Sequence, residues 1–515
     1  MAVKEDPTYK MSFAFDNSFA RELPGFYVKW QPQRVPRPRL LYLNHGLAEE
    51  LSLNLRQHDS AALAALFSGN RLPEGTEPIA QAYAGHQFGR FSPQLGDGRA
   101  LLIGEVIDRH GQRRDIAFKG SGPTPFARGG DGKAAVGPML REVLIGEAMH
   151  ALGIATTRAL AVVTTGESIQ REKALPGATL TRVAVSHIRV GSFEYYAARG
   201  DHERVRRLAD YAIARHDPGL TGSKERYLGF LCAVMERQAA LVAQWMGVGF
   251  IHGVMKTDNM SIAGETIDYG PCAFMEAYDS KAVFSSIDQH GRYAYENQPG
   301  IAQWNLARLA ESLLPLLADD EQDAIALASE AIASFHGSYR RHWMDVMRTK
   351  MGLNGPVRNG DDDDIALVEE WLALLQGSKV DFTLAWRHLA DAAEGNPSPL
   401  RSLFCDHLAL DAWLLKWQAR CAAEDGGAIA TMANESRIAA STRAQAMRRS
   451  NPWLIPRNHC VEDALSAASD ENDFRPFEQL LAALSRPHEE HAEFARFAKP
   501  APESFTAAYC TFCGT

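Results

Sequence analysis

Ile251-His252-Gly253-Val254-Met255-Lys256-Thr257-Asp258-Asn259 follows directly on a long amphipathic run, and Thr266-Ile267-Asp268-Tyr269-Gly270 comes soon after it. The amide of Asn259 and the carboxylate of Asp268 are hard oxygen donors of the kind that hold magnesium. The amphipathic run spans Lys224 to Met246, with Tyr227, Leu228, Leu231, Val234, Gln238, Leu241, Val242 and Trp245 at helical spacing. His252 reads as a core histidine without a catalytic role.

Upstream, Gly96-Asp97-Gly98-Arg99, Lys119, Gly120-Ser121-Gly122 and Gly129-Gly130-Asp131-Gly132 form the densest cluster of glycine and charge. Glycines let backbone amides approach phosphate oxygens, and a nearby Lys or Arg neutralises their charge, so the cluster predicts a polyphosphate site. Two familiar phosphate motifs are absent from it. Gly120-Ser121-Gly122 lacks the third glycine of a dinucleotide turn and is followed by Pro123 and Pro125, and Gly132-Lys133 runs into Ala134 where a P-loop needs Ser or Thr.

Lys119 at the end of an apolar strand and Glu142 on the next helix parallel the lysine–glutamate pair with which kinases orient a nucleotide. The Ile251–Asn259 stretch likewise parallels a kinase catalytic loop, with Asn259 at the metal-binding amide and Asp268 at the aspartate of the following Asp-x-Gly. Val254 stands where the usual catalytic aspartate would be. Asp258 is then the best remaining carboxylate to accept a proton. Arg182 and Arg189, seven apart, have the planar fork that suits bidentate phosphate contact.

The fold expected is α+β, a protein-kinase-like two-lobed arrangement with a small sheet-bearing N-lobe and a large, mostly helical C-lobe. Residues 1–77 are expected to be an N-terminal extension, 78–192 the N-lobe, 193–500 the helical C-lobe and 501–515 a tail with a CxxC motif. Ala100–Val106 and Arg114–Lys119 read as strands. A helix is expected to open at Pro138 and run through Leu140, Val143, Leu144, Ala148 and Leu152 to Gly153. Leu306, Leu309, Leu313 and Leu316, then Ile325, Ala328, Ile332 and Phe335, then Ile365, Val368, Leu372 and Leu375 predict core-facing helical stripes. Asp361 to Asp364 reads as a solvated loop at a helix start.

With 515 residues and 46% hydrophobic content the chain can bury more than one core. Its 63 acidic and 54 basic residues are interspersed, without the basic block that tracks nucleic acid. No apolar run approaches the roughly 18 residues of a membrane span, and the N-terminus lacks the pattern of a signal or transit peptide. Seven scattered cysteines suit a reducing cytosol. A cytoplasmic protein, expected to be monomeric, follows.

These motifs together resemble the selenoprotein O family of protein adenylyltransferases with a pseudokinase fold. The resemblance runs over nearly the whole length and includes Tyr83-Ala84-Gly85-His86-Gln87-Phe88-Gly89, Gly96 to Arg99, Phe118 to Gly122, the Asp258 region, and Asn451-Pro452 through Asn458-His459. It implies that ATP binds flipped, so that AMP passes to Ser, Thr or Tyr hydroxyls of proteins. It also implies Asp258 as proton acceptor, Asn259 and Asp268 as magnesium ligands, and Gly96, Gly98, Arg99, Lys119, Asp131, Gly132, Arg182, Arg189 and Asp268 as nucleotide contacts. Manganese accepts the same oxygen ligands. Kinase-type phosphotransfer and a nucleotide-binding scaffold without turnover are the alternatives. Cys513 lies where eukaryotic members carry selenocysteine. The cysteine with which it pairs in some bacterial relatives is replaced here by the Phe284-Ser285-Ser286 neighbourhood, and a Cys510–Cys513 pair or two free thiols remain open.

Overall fold

Two apolar runs meeting at a Gly111 turn start the fold. In the computed structural model, which describes residues 13–353, 362–425 and 433–512, Ala100–Ile107 and Arg113–Lys119 pair antiparallel from Ala100↔Lys119 to Ile107↔Arg113. The reading of the extreme N-terminus as free of a leader, and the fate of Cys513, lie outside the described residues.

The strands in chain order are β1 (Tyr27–Lys29), β2 (Arg39–Leu43), β3 (Ile79–Gln81), β4 (Gly85–Gln87), β5 (Arg90–Ser92), β6 (Ala100–Ile107), β7 (Arg113–Lys119), β8 (Ala134–Ala135), β9 (Arg158–Gln170) and β10 (Ala174–Ala184). They form an antiparallel sheet in the order β1-β3-β6-β7-β10-β9-β2, with β8 beside β10 and β4–β5 as a separate hairpin. Segment 1–77 thus supplies two strands, β1 and β2, to the sheet. Burial on both sides explains the near-continuous apolar runs of β6 and β9: one face packs on Leu47, Leu63 and Phe67, the other on the helix Val136–Ala151.

That helix begins two residues before Pro138, which sits in its first turn where no N–H bond is lost. Leu140, Val143, Leu144 and Ala148 are buried, and the helix ends at Ala151, with Gly153 in the left-handed region at φ 77°. The amphipathic run is the helix Arg226–Val248, ended by Gly249 at φ 70°. This turn sends the chain into β11 (Phe250–Ile251), which pairs with β12 (Ala273–Phe274). Residues 252–272 are the long loop tied off by that two-stranded base.

The rest is helical, including Gln298–Leu317, Glu321–Lys350, Asp362–Ser378, Phe382–Ala393, His407–Glu424 and Asn458–Asp470. Trp371, Trp386, Trp413 and Trp417 fill the core of this part, Trp371 and Trp413 with ring centres 4.5 Å apart. The molecule is therefore α+β, an antiparallel sheet followed by a helical part. Two local expectations fail. Ile325 is 39% exposed, because its helix turns Ala324, Ala328, Ala331 and Phe335 inward at that end. Asp364 is not a solvated loop residue: it is 3% exposed within its helix and accepts hydrogen bonds from Arg420 at 2.7 and 3.1 Å. Asp361 lies outside the described residues.

Candidate active site

Lys119 ends β7 and Glu142 projects from the Val136–Ala151 helix, and the two form a buried ion pair. Lys119 Nζ also donates to Asp268 Oδ1 at 2.6 Å. The registers Lys119↔Leu180 and Ala117↔Arg182 bring Arg182 alongside, and its Nη1 donates to the same oxygen at 2.7 Å. Arg189 Nη1 lies 3.6 Å from Asp268 Oδ2 and donates to the Asp258 carbonyl at 2.8 Å. Three cations therefore share one carboxylate, with Glu142 as the second anion in contact.

The segment that follows Asn259 is held by backbone pairing. Arg189 bridges Ser261, Val190 N–H donates to Met260 O, and Ile262 N–H donates to Ile188 O. Asp268 itself has φ 66°, a conformation that costs a non-glycine residue energy and that recurs where surrounding structure over-determines a functional side chain. Burial alone would raise the Asp268 carboxyl. Lys119, Arg182 and Arg189 outweigh it and hold the group well below the usual carboxylate range.

Asp258 sits differently. Burial pushes its carboxyl up, Lys256 and Arg189 pull it down, and Asp268 adds to the rise. Its Oδ1 is buried with no hydrogen-bond partner. Asn259 spends its Nδ2 on the Val254 carbonyl at 3.1 Å, leaving the amide oxygen for other use. An amide oxygen, a carboxylate and the oxygens of a polyphosphate make a donor set that suits magnesium, which usually keeps few protein ligands.

All the sequence-predicted site residues line one cavity of about 940 Å³: Gly96, Gly98, Arg99, Lys119, Asp131, Gly132, Arg182, Arg189, Asp258, Asn259 and Asp268. The side chain of Asp131 is at the rim, where Arg171 takes it in two hydrogen bonds of 2.8 and 3.0 Å. Gly132 is needed for space: a Cβ there would run into the backbone of Gly122 and Pro123, so the two loops can touch only through glycine.

Several contributors carry no signal in composition or spacing. The Tyr83 ring lies 4.6 Å under the Arg189 guanidinium, and Lys256 and Gln87 line the cavity beside Asp258. His86 Nδ1 pairs with Glu194 Oε1, and the His86 N–H donates to Thr257 Oγ1 at 2.7 Å. Burial, with a contribution from Asp258 and despite a hydrogen bond from Thr257, pushes Glu194 up to about 7. The segment Tyr83 to Gly89 was quotable as a motif, but only its fold-back on Asp258 explains it. Gly85 packs so closely on the Asp258 carboxylate that a Cβ would collide with it.

The tail closes one side. Thr511 pairs in parallel with Ser285, its N–H donating to Phe284 O at 2.8 Å and its Oγ1 to Pro271 O at 2.7 Å. Cys510 and Phe512 line the cavity, and Cys272 is buried and free.

A family model described as protein adenylyltransferase SelO matches residues 10–485. Three curated relatives are each named protein nucleotidyltransferase YdiU. That of Cereibacter sphaeroides is 57% identical over 508 residues, covering 98% of this chain and 100% of the relative. That of Chromobacterium violaceum is 57% identical over 494 residues, covering 96% and 100%, and that of Rhizobium johnstonii 53% identical over 508, covering 98% of each. A chain matched along this much of its length, with the lysine, glutamate, asparagine and aspartates gathered in one cavity, belongs to the SelO family.

Proposed function

We propose that this protein transfers AMP from ATP to hydroxyl groups of other proteins, with release of pyrophosphate. The observation that carries the reading is the gathering of Lys119, Arg182 and Arg189 around Asp268, set beside Asp258, whose Oδ1 is buried without a hydrogen-bond partner. Lys119, Arg182 and Arg189 suit the phosphates of a nucleotide, and the glycine-lined loops 96–98 and 120–132 suit close backbone approach. Asp258 accepts the proton of a Ser, Thr or Tyr hydroxyl as its oxygen bonds to the α-phosphorus and the bond from that phosphorus to the β-bridging oxygen breaks. Asn259 and Asp268 would hold magnesium, or manganese, which neutralises charge on the phosphates. Fixed cations favour the transition state because they need no reorganisation as charge develops.

The strand lysine, helix glutamate and metal-binding loop support a kinase-like reading of the fold. In it residues 78–192 are the small lobe, widened by β1 and β2 of segment 1–77, 193–500 the large lobe and 501–515 a tail. Val254 at the usual position of a kinase base favours Asp258 and adenylyl transfer over phosphoryl transfer. The six described cysteines are free and among the described residues no helix is long and apolar enough to cross a membrane, which supports action in the cytoplasm; a monomer is part of the same reading. The test is parallel incubation with ATP labelled on the α- or the γ-phosphate. Retention of the α label on protein is expected. The γ label alone would mean a kinase, and ATP binding with neither label retained would mean a scaffold.

A further inference from the structure

Asp258 stands in a single helical turn, Thr257–Asn259, that no side chain caps among the described residues. With no hydrogen-bond partner on its Oδ1, the direction of the carboxylate is set by whatever fixes that turn. One short helix, Val190–Ala197, reaches two of its three residues. At the start of the helix Arg189 donates from Nη1 to the Asp258 carbonyl at 2.8 Å. Further along it Glu194, 4% exposed, pairs through Oε1 with His86 Nδ1 at 2.5 Å, and the His86 N–H donates to Thr257 Oγ1 at 2.7 Å. Thr257 is fully buried.

The segment that carries His86 is pressed onto the same helix. Ala84 N–H donates to Gly191 O at 2.9 Å, a Cβ on Gly191 would run into the Ala84 carbonyl, and one on Gly85 would run into the Asp258 carboxylate. A shift of His86 is therefore felt at Asp258 through Gly85 as well as through Thr257. The imidazole meets the rings of Phe91 and Trp304 at 5.0 and 5.1 Å. As a device for stability the pair is poor: Glu194 Oε2 is buried with no hydrogen-bond partner among the described residues, and two apolar side chains of the same size would cost less to bury. What the pair supplies is direction.

We infer that Glu194 and His86 are positioning residues for the proton acceptor: the helix that presents Arg189 to the nucleotide also fixes, through the Glu194–His86 pair and Thr257, where Asp258 stands. The inference rests on the transfer reading for what Asp258 does. Mounting both functions on one helix ties the grip on the nucleotide and the place of the carboxylate to the same rigid backbone. That matters for rate, because a displacement of about 1 Å at a reacting group can cost about 10²-fold.

The test is α-label transfer by the full chain carrying Glu194→Ala or Glu194→Gln, each alone and combined with Asp258→Asn, with hydrogen exchange of residues 256–260 measured alongside. Glu194→Ala should lower kcat by about 10- to 100-fold. KM for ATP and the rise in melting temperature with ATP should stay as in the native chain. Glu194→Gln, whose amide can still bond the imidazole, should keep most of the rate. In the Asp258→Asn background Glu194→Ala should cost nothing further, because a residue that acts through another has no effect once that other is gone, whereas a general structural loss would add in both backgrounds. Exchange at 256–260 should quicken in the alanine variant and not in the glutamine one. Full kcat in Glu194→Ala, a loss that falls on KM for ATP instead, an equal loss in both backgrounds, or unchanged exchange overturns the inference. A native chain that transfers no α label would sink the proposed function by itself, and the exchange comparison, which needs no turnover, would still decide whether Glu194 holds the turn.

Discussion

Two buried charge clusters in this molecule are built from the same residue types for different ends. At the cavity, Lys119, Arg182 and Arg189 meet Asp268 and Glu142, three cations against two carboxylates, and the cluster faces open space. In the helical part, Arg457 is 1% exposed, bonded to Glu276 and to Asp381 at 2.5 Å, and its Nη2 donates to Ala498 O at 3.3 Å. Asp381 at the same time caps the helix Phe382–Ala393 through Leu384 N–H. Here one cation serves two anions and is enclosed by protein. A group of cations that opens on a cavity can take up an anion, whereas a closed cluster joins segments and has no room for one.

The comparison breaks most sharply at Asp258. Asp258→Asn should lower α-label transfer by about 10²–10⁴-fold, the usual worth of a general base. It should keep the rise in melting temperature that ATP produces. A variant that retains full transfer would remove the base from Asp258.

The closed cluster should respond in stability. Arg457→Met leaves Glu276 and Asp381 buried without their cation and should cost about 3–5 kcal/mol, measured by chemical denaturation. Glu276 follows β12, Asp381 opens one helix and Arg457 precedes another, so the loss should reach the whole helical part. Lys119→Met should do the converse. Asp268 keeps Arg182 and Arg189 as partners and Glu142 keeps Arg182 at 3.9 Å, so the fold should survive. The stabilisation by ATP should drop by about 1.5–3 kcal/mol, the range for a hydrogen bond to a charged group. If ATP stabilises Lys119→Met as fully as it does the native chain, the Lys119 amine is not there for the nucleotide.

The open cluster was largely legible in the sequence and the closed one was not, and the reason is distance along the chain. Lys119, Glu142, Asn259 and Asp268 stand in local patterns whose chemistry is specific: a strand end, a helix second turn, an amide beside a carboxylate. Arg182 and Arg189 offered only their spacing, and it took the β7–β10 register to bring Arg182, and the bridge to Ser261 to bring Arg189, against Asp268. Arg457 finds Glu276 some 181 residues away and Asp381 some 76 residues away, and no local pattern announces such partners. Asp364 failed for the same cause, its acidic run reading as solvent-facing until Arg420 from another helix covered it. The match of Thr511 to Ser285 is likewise a tertiary pairing of two unremarkable loops.

Lys350 sharpens the comparison by being a buried cation that belongs to neither cluster. It is 3% exposed, with Trp386 at 4.8 Å and Phe382 at 5.8 Å from its Nζ, and burial pushes its amine from 10.5 down to about 7. Below pH 7 the folded chain must carry the charge in an apolar place, and the cost is full. Between 7 and 10.5 the folded amine is neutral while the unfolded one still binds a proton, so this group makes stability rise with pH. Above 10.5 the two states are alike and the penalty is gone. Lys350→Met keeps the volume, and its carbonyl still accepts from Asn451 Nδ2 at 2.9 Å. The desolvation relieved should exceed the cation–π attraction lost, for a net gain of about 1 kcal/mol at neutral pH. That gain should be largest below pH 7 and fade toward pH 10.5 in denaturant titrations. A gain that stayed constant across this range would show that packing, not the buried charge, sets the cost at this position.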